Sequence, residues 1–371
     1  MHLSLDAAVQ LALEQARSVL LDTSPNPRVG CVILDSQGRE IGRGATQQAG
    51  GAHAEVMALR DAAARGEDVR GATVLVTLEP CAHQGRTGPC CDALVAAGVG
   101  RVVASLHDPH PQVAGQGFAR LRAAGIEVLV GPGAAEAREL NLGFFSRMVR
   151  GVPWVRMKTA ASLDGTTALA NGQSQWITGA EARADGHAWR ARACAVLTGI
   201  GTVLADNPRL DVRSVQTRRQ PALVVVDSAL QTPLDAALFT AGRSVHIYAG
   251  VENDLKTQAL EKECGATVTV LPDNQGKVDL GAMLRDLAQR QQINELHVEA
   301  GCKLNGSLLR AGLVDELLVY LAPKLVGPGL GMASLAPLAQ LSQAQELEFQ
   351  ALDRVGSDVR ILARLRGRDA F

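Results

Sequence analysis

The chain has 371 residues, 47% hydrophobic and 20% charged, which is enough apolar material for two or three cores at about 150 residues per domain. Lys plus Arg number 37 and Asp plus Glu 38, so the net charge of -1 excludes the broad basic surface of a non-specific nucleic-acid binder. Aromatics at 3% exclude extended base-stacking platforms, and no apolar run reaches the roughly 18 residues of a membrane span. Residues 5–21 are amphipathic, with Asp6 and Glu14 inside them and neither a basic start nor a cleavage site. They read as a helix, not an export signal, and the expected setting is cytoplasmic. Strands are predicted at 30–34 and 41–45, a helix at 54–65, a strand at 72–78 and a helix at 91–97. Strand 102–105, helix 117–124, strand 127–130 and helix 134–145 complete this half. Gly and Pro in RMVRGVP (147–153) break the rhythm, so domains are expected at 1–148 and 149–371. The second half starts with strand 154–161, helix 180–192 and strand 195–199. Strands at 222–226, 245–248, 267–271 and 296–299 then alternate with helices at 254–263 and 279–289. Consecutive strands at 316–322, 347–355 and 358–365 suggest an antiparallel finish to a mainly parallel α/β sheet.

Seven scattered cysteines without an export signal do not form a disulfide framework. Only Cys81, Cys90 and Cys91 cluster, and they follow His53-Ala54-Glu55 in the chain. Two thiolates and one neutral imidazole make a tetrahedral zinc set with a fourth position left for water. Such a metal activates water near neutrality, and Glu55, a carboxylate outside the ligand set, can carry its proton to a leaving amine. Residues two apart do not share a helix face, so His53 and Glu55 can serve one site only from a helix N-terminus. Cys90 also falls at a helix start, where a thiolate is favoured. A closed structural zinc site is the alternative, with Cys91 or His83 as fourth ligand. Cys91 itself reads as structural.

The segments TSPNPRVG (23–30) and LEPCAHQGRTGPCC (78–91) closely resemble the deaminase half of the bifunctional riboflavin-biosynthesis deaminase-reductases. The eight residues between Cys81 and Cys90 match that family, although Gly88-Pro89-Cys90 replaces its usual Pro-Pro-Cys. The resemblance implies a cytidine-deaminase-like three-layer domain with zinc on His53, Cys81 and Cys90 and with Glu55 as proton shuttle. Asn26 is then either an amide contact to the pyrimidine or a turn-former before Pro27.

The second half has no G-x-G-x-x-G after its first strand, so a standard dinucleotide fold is not indicated. It carries AASLDG (160–165), SQWITG (174–179), GIGTVLADNP (199–208), VEAGCKLNGS (298–307), LVDELLVY (313–320) and PKLVG (323–327). These resemble the reductase half of the same family, in the same order, so the likeness spans nearly the whole chain. It implies a dihydrofolate-reductase-like domain that uses NADPH. Ala160, Trp176, Thr202, Asp206, Ser228 and the run Gly301, Cys302, Lys303, Leu304, Asn305, Gly306 and Ser307 fall at NADP-contacting positions. Ser174, Arg190, Leu210, Arg213 and Glu299 fall at substrate-contacting positions. Arg190 and Arg213 suit a ribose phosphate because guanidinium pairs bidentately with phosphate oxygens. Trp176 either flanks the nicotinamide or packs in the core, and Asp206 and Glu299 either bind or cap helices. Lys158 either contacts the ribityl chain or is a strand-edge charge. The implied partners are phosphoribosylaminopyrimidine substrates, with no nucleic acid and no membrane, and the expected assembly is a homo-oligomer.

Overall fold

The computed structural model describes residues 2–83, 88–110 and 113–371; residues 84–87 of the second motif lie outside them. Two compact units result, one ending at Gly151 and including Phe371, the other spanning Val152–Ala370.

The first unit runs α1 (Leu5–Ser18), β1 (Gly30–Leu34), β2 (Glu40–Ala45), α2 (Ala54–Ala64), β3 (Thr73–Val76), α3 (Cys90–Ala97) and β4 (Arg101–Ala104). It continues with α4 (Gln116–Ala123), β5 (Glu127–Val130), α5 (Ala134–Leu140) and α6 (Leu142–Phe145). The single helix expected over 134–145 is split at Asn141. There the side-chain amide donates to the carbonyls of Arg28 and Ala137, while its oxygen accepts from Arg28 N–H. Tying a distant loop is worth more here than one helical turn. The sheet order is β2-β1-β3-β4-β5, with β1 antiparallel to both neighbours and β3, β4 and β5 parallel.

Two glycines show how the layers form. A Cβ on Gly30 would lie 1.9 Å from the Ala12 carbonyl oxygen of α1, and one on Gly44 would lie 2.5 Å from Ala58 N of α2. Gly44 pairs with Cys31, the residue after Gly30, and successive strand residues face opposite sides. Helices α1 and α2 therefore cover opposite faces, giving three layers around a core that includes Leu13, Val32, Ile33, Leu75 and Phe118.

The second unit runs β6 (Trp154–Ser162), β7 (Thr166–Leu169), α7 (Ala180–Arg192), β8 (Ala195–Gly199), α8 (Ile200–Asp206), β9 (Ala222–Val226) and β10 (Val245–Ala249). Then come α9 (Asp254–Cys264), β11 (Thr267–Val270), α10 (Leu280–Gln289), β12 (Glu295–Val298), α11 (Cys302–Arg310) and β13 (Glu316–Ala322). β14 (Gly329–Gly331), β15 (Leu347–Val355) and β16 (Asp358–Leu365) finish it. Nine strands form one sheet, β11-β10-β9-β8-β12-β6-β13-β16-β15. It is parallel as far as β13 and antiparallel from there, as the last three strand patterns suggested. The inner parallel strands β8, β9, β10 and β12 are largely buried on both sides, whereas β11 at the edge is not, and alternate residues feed separate cores. Leu197 and Val224 pack with Met283 and Leu287, whereas Val196 and Leu223 pack with Leu260 and Leu238. Helix α8 and the short β7–β14 ribbon were not predicted, since Gly and Thr leave little apolar periodicity there.

Candidate functional site

Topology gathers the first unit's motifs before any side chain does. Gly30 at the start of β1 pairs with Ala45 at the end of β2, and the next residue of β1, Cys31, pairs with Val76 at the end of β3. The loop carrying Asn26, the segment leading to His53 and the turn carrying Cys81 thus leave one end of the sheet. His53 is the residue before α2 and makes no side-chain cap, Glu55 lies in its first turn, and Cys90 is the first residue of α3. His53 Nδ1 is 3.6 Å from Cys81 Sγ and 3.3 Å from Cys90 Sγ, and all three donor atoms lie within 4.8 Å of one another. Metal–ligand bonds of about 2.0–2.3 Å give tetrahedral edges of about 3.5–3.8 Å, so the donor set fits zinc.

Electrostatics set the two thiols apart. The hydrogen bond from Cys90 holds the Cys81 thiol below its ordinary range against burial, helped by His53 and the Cys90 N–H, whereas that same bond and burial push the Cys90 thiol up. Burial first, then the Cys81 charge, raises the Glu55 carboxyl to about 7, where it can both take and give a proton. Cys91 points away and its thiol lies 3.8 Å from Asp92 Oδ1. Asn26 is half-buried, held in its turn by its own N–H to the Thr23 carbonyl.

Glu79 was missed by sequence reasoning. Its fully buried carboxylate accepts from the N–H groups of Asp108, Gly115, Gly117 and Phe118, bracing the Pro80-Cys81 turn against the start of α4. A Cβ at position 117 would lie 2.0 Å from the Pro80 carbonyl oxygen, so glycine is required there. The only sequence signal was a carboxylate beside a ligand.

In the second unit, Lys158 and Ala160 share one face of β6. Glu299, just after β12, lies 3.7 Å from Lys158 Nζ and takes a bidentate pair from Arg190 at 2.7 and 2.9 Å. Arg190 is buried and also donates to the Asp211 carbonyl, so it links Glu299 to the loop after α8. Burial works against the Glu299 charge, but Arg190 and Lys158 hold its carboxyl well below the usual range. Neither Glu299 nor Asp206 caps a helix: α11 starts from Gly301, and Asp206 ends α8.

Helices α8 and α11 start at the C-terminal edge of adjacent strands β8 and β12, and Thr202 Oγ1 lies 3.8 Å from where a Gly301 Cβ would be. α11 has no side-chain cap, and Asn305 Oδ1 is buried without a hydrogen bond among the described residues. Open N–H groups at a helix start suit a phosphate. Ser228 follows β9 at the same edge, and its hydroxyl accepts from Val278 N–H. Ser174 and Trp176 lie in the loop before α7. Trp176 is 63% exposed, so it is not core packing, and Arg183 lies 4.4 Å over its ring.

Comparison with known proteins extends this picture. The family described as "Cytidine and deoxycytidylate deaminase zinc-binding region" matches residues 4–106, and "RibD C-terminal domain" matches residues 153–361. The riboflavin biosynthesis protein RibD of Escherichia coli is 46% identical over 356 residues, 94% of this chain and 96% of the relative. RibD of Acinetobacter baumannii superposes with a TM-score of 0.88 at 39% identity, covering 97% of this chain and 98% of that one. The diaminohydroxyphosphoribosylaminopyrimidine deaminase/5-amino-6-(5-phosphoribosylamino)uracil reductase of Thermotoga maritima gives 0.85 at 32% identity, covering 97% and 98%. With the His–Cys–Cys cluster in one unit and the basic cluster around Glu299 in the other, the chain belongs to the RibD family, the bifunctional deaminase-reductases of riboflavin biosynthesis.

Proposed function

We propose that the first unit deaminates 2,5-diamino-6-ribosylamino-4(3H)-pyrimidinone 5′-phosphate and that the second reduces the product, 5-amino-6-(5-phosphoribosylamino)uracil, to its ribityl form. The convergence of His53, Cys81 and Cys90 beside the buried Glu55 carries this reading. His53, Cys81 and Cys90 would hold zinc, which when bound would activate a water for attack at the amino-bearing carbon. Glu55 would take a proton from that water and pass it to the amino group so that it leaves as ammonia, and Asn26 would contact the pyrimidine edge. Burial of Glu55 keeps that proton from bulk water.

NADPH, when bound in the second unit, would supply a hydride to C1′ as the C1′–O4′ bond of the ribosyl ring opens, O4′ taking a proton from solvent to become the ribityl hydroxyl. Thr202, Asp206, Ser228, residues Gly301–Ser307, Ala160 and Trp176 would hold that cofactor. Lys158, Glu299, Ser174, Leu210 and Arg213 hold the substrate, with Arg190 keeping Glu299 in place. Positioning is the protein's main contribution to this step.

Ammonia and NADPH followed in one tube with the diaminopyrimidinone phosphate test the assignment. Glu55→Gln is expected to lower ammonia release by about 10²–10⁴-fold while NADPH oxidation on the pre-deaminated substrate persists. Full deamination by that variant would remove Glu55 from its role.

The protein assembles as a homo-oligomer in this reading, supported by an apolar edge strand. β15 is the last strand of its sheet and exposes Leu347, Phe349 and Leu352, and Leu335, Leu338 and Leu341 are exposed just before it. None of the seven cysteines is in a disulfide, which suits a reducing cytoplasmic setting.

A further inference from the structure

The loop between α8 and β9, NPRLDVR, is built in a way its sequence does not announce. Asn207 and Leu210 both have positive φ, 41° and 51°, and Leu210 is buried. Four consecutive carbonyls, those of residues 209–212, then turn inward and each accepts from a side chain. Arg243 donates to the Arg209 and Leu210 carbonyls, Arg190 to that of Asp211 at 2.5 Å, and Gln220 to that of Val212 at 2.9 Å. With these carbonyls pinned, Leu210, Asp211 and Val212 stay buried and the loop exposes Arg209 and Arg213.

Asp211 organises them. Its carboxylate is buried, and its two oxygens accept from different arginines, Arg213 at 2.5 Å and Arg209 at 2.8 Å. Those guanidinium groups are otherwise open, with side chains 55% and 56% exposed. Each has five N–H donors, so pairing with one carboxylate oxygen leaves an edge of each for another anion. Lys158, Arg190 and Arg243 lie in the same cluster, and among the described residues the carboxylates that pair with these five cations are Glu299 and Asp211. The crowding is felt at Arg243, where burial, aided by the charges of Arg190 and Arg209, brings its guanidinium down to about 10. A cluster with three more cations than carboxylates, in a chain of net charge -1, is arranged for an anion.

We propose that Arg209 and Arg213, splayed from the Asp211 carboxylate, form a two-guanidinium clamp for the phosphomonoester of the reductase substrate, with Asp211 as its positioning residue. This rests on the reading that places the substrate at Arg213. Holding both long side chains in advance removes an ordering cost that two unbraced arginines would incur on binding. Arg190 ties the clamp to the reacting end, because one guanidinium holds both Glu299 and the Asp211 carbonyl.

The test is steady-state reduction by the full chain at saturating NADPH, with the phosphorylated substrate and its dephosphorylated counterpart compared. Arg209→Ala and Asp211→Asn are each expected to raise KM for the phosphorylated substrate about tenfold with kcat held, the loss of one charge-assisted contact. KM for the dephosphorylated substrate should not move, and inorganic phosphate should inhibit both variants more weakly than the parent protein. A purely structural Asp211 would instead shift both substrates equally. That result, or an unchanged KM in Arg209→Ala, overturns the clamp. Arg209 is exposed, so its variant decides the matter even if Asp211→Asn folds poorly. Arg213→Ala separates the two readings. If it alone raises KM, the clamp fails and the substrate site stands; if it leaves KM unchanged, the substrate site itself is elsewhere.

Discussion

At the scale of single residues, partners decide what a side chain does. That His53, Cys81 and Cys90 meet beside Glu55 could be read from the chain because their residue types have few other joint uses and their spacing is tight. The pairing of Arg190 could not, since its partner Glu299 is 109 positions away. Glu79 escaped notice for the same reason, its four donors lying between residues 108 and 118. Glu79→Ala would leave four N–H groups without their acceptor and loosen the Pro80-Cys81 turn. We expect it to weaken zinc retention by about 10–100-fold in chelator competition, with Glu79→Gln intermediate. Retention equal to the parent's would show that the brace does not reach Cys81. A second test concerns Arg156, which is fully buried between Glu295 and Glu316 at 3.2 and 2.5 Å. Arg156→Met removes one partner of a buried network and should cost about 3–5 kcal/mol in denaturant unfolding. A loss below about 1 kcal/mol would mean that the carboxylates find other partners in Arg192 and Arg364.

At the scale of elements, apolar periodicity located most helices and strands to within a residue or two. The predicted strand at 30–34 and helix at 180–192 match the observed bounds. The failures have local causes. Helix 134–145 is interrupted because Asn141 serves Arg28, and α8 is short and glycine-started, with only Val203 buried. β15 shows the reverse case, a strand whose pattern was legible but whose position at the sheet edge was not. Its residues 347–355 are mostly exposed, and an apolar edge of this kind needs a cover. A second copy is the simplest one, because an antiparallel edge can pair with itself across a two-fold axis. Replacing Phe349 and Leu352 with Lys should shift the mass measured by light scattering toward one chain, with the unit's fold retained by circular dichroism. An unchanged mass would place the contact elsewhere.

At the scale of the whole molecule, buried charge makes stability depend on pH. His187 is lowered to about 4 by burial and then by Arg190 and Arg213, while burial also lowers His246 and His297. An unfolded histidine titrates near 6.5, so these groups contribute stability that is complete above about pH 6.5 and is lost as pH falls toward their folded values. For Glu316, burial is outweighed by Arg156 and Arg364, and for Asp211 by Arg213 and Arg209, so both carboxyls are depressed. Their stabilisation is complete above about pH 4–4.5 and is lost below it. Urea midpoints should therefore fall gently from about pH 6.5 and steeply below about pH 4.5, and His187→Asn should flatten the upper limb. A midpoint constant from about pH 7 to 5 would contradict the histidine contribution.

The sequence by itself determined the two α/β halves, the break near residue 150 and the meeting of His53, Cys81 and Cys90 beside Glu55. Local periodicity and short, chemically specific motifs are enough for these, because each is written within a few dozen residues. Tertiary structure alone decided that Arg190 holds Glu299, that Glu79 braces the metal turn, that Asp211 gathers two arginines and that β15 lies at an edge. Those outcomes depend on which strands become neighbours, and pairings such as β12 with β6 or β13 with β6 join positions more than 130 residues apart. Whether a charge is spent inside the protein or left for a ligand is settled only when such distant segments meet.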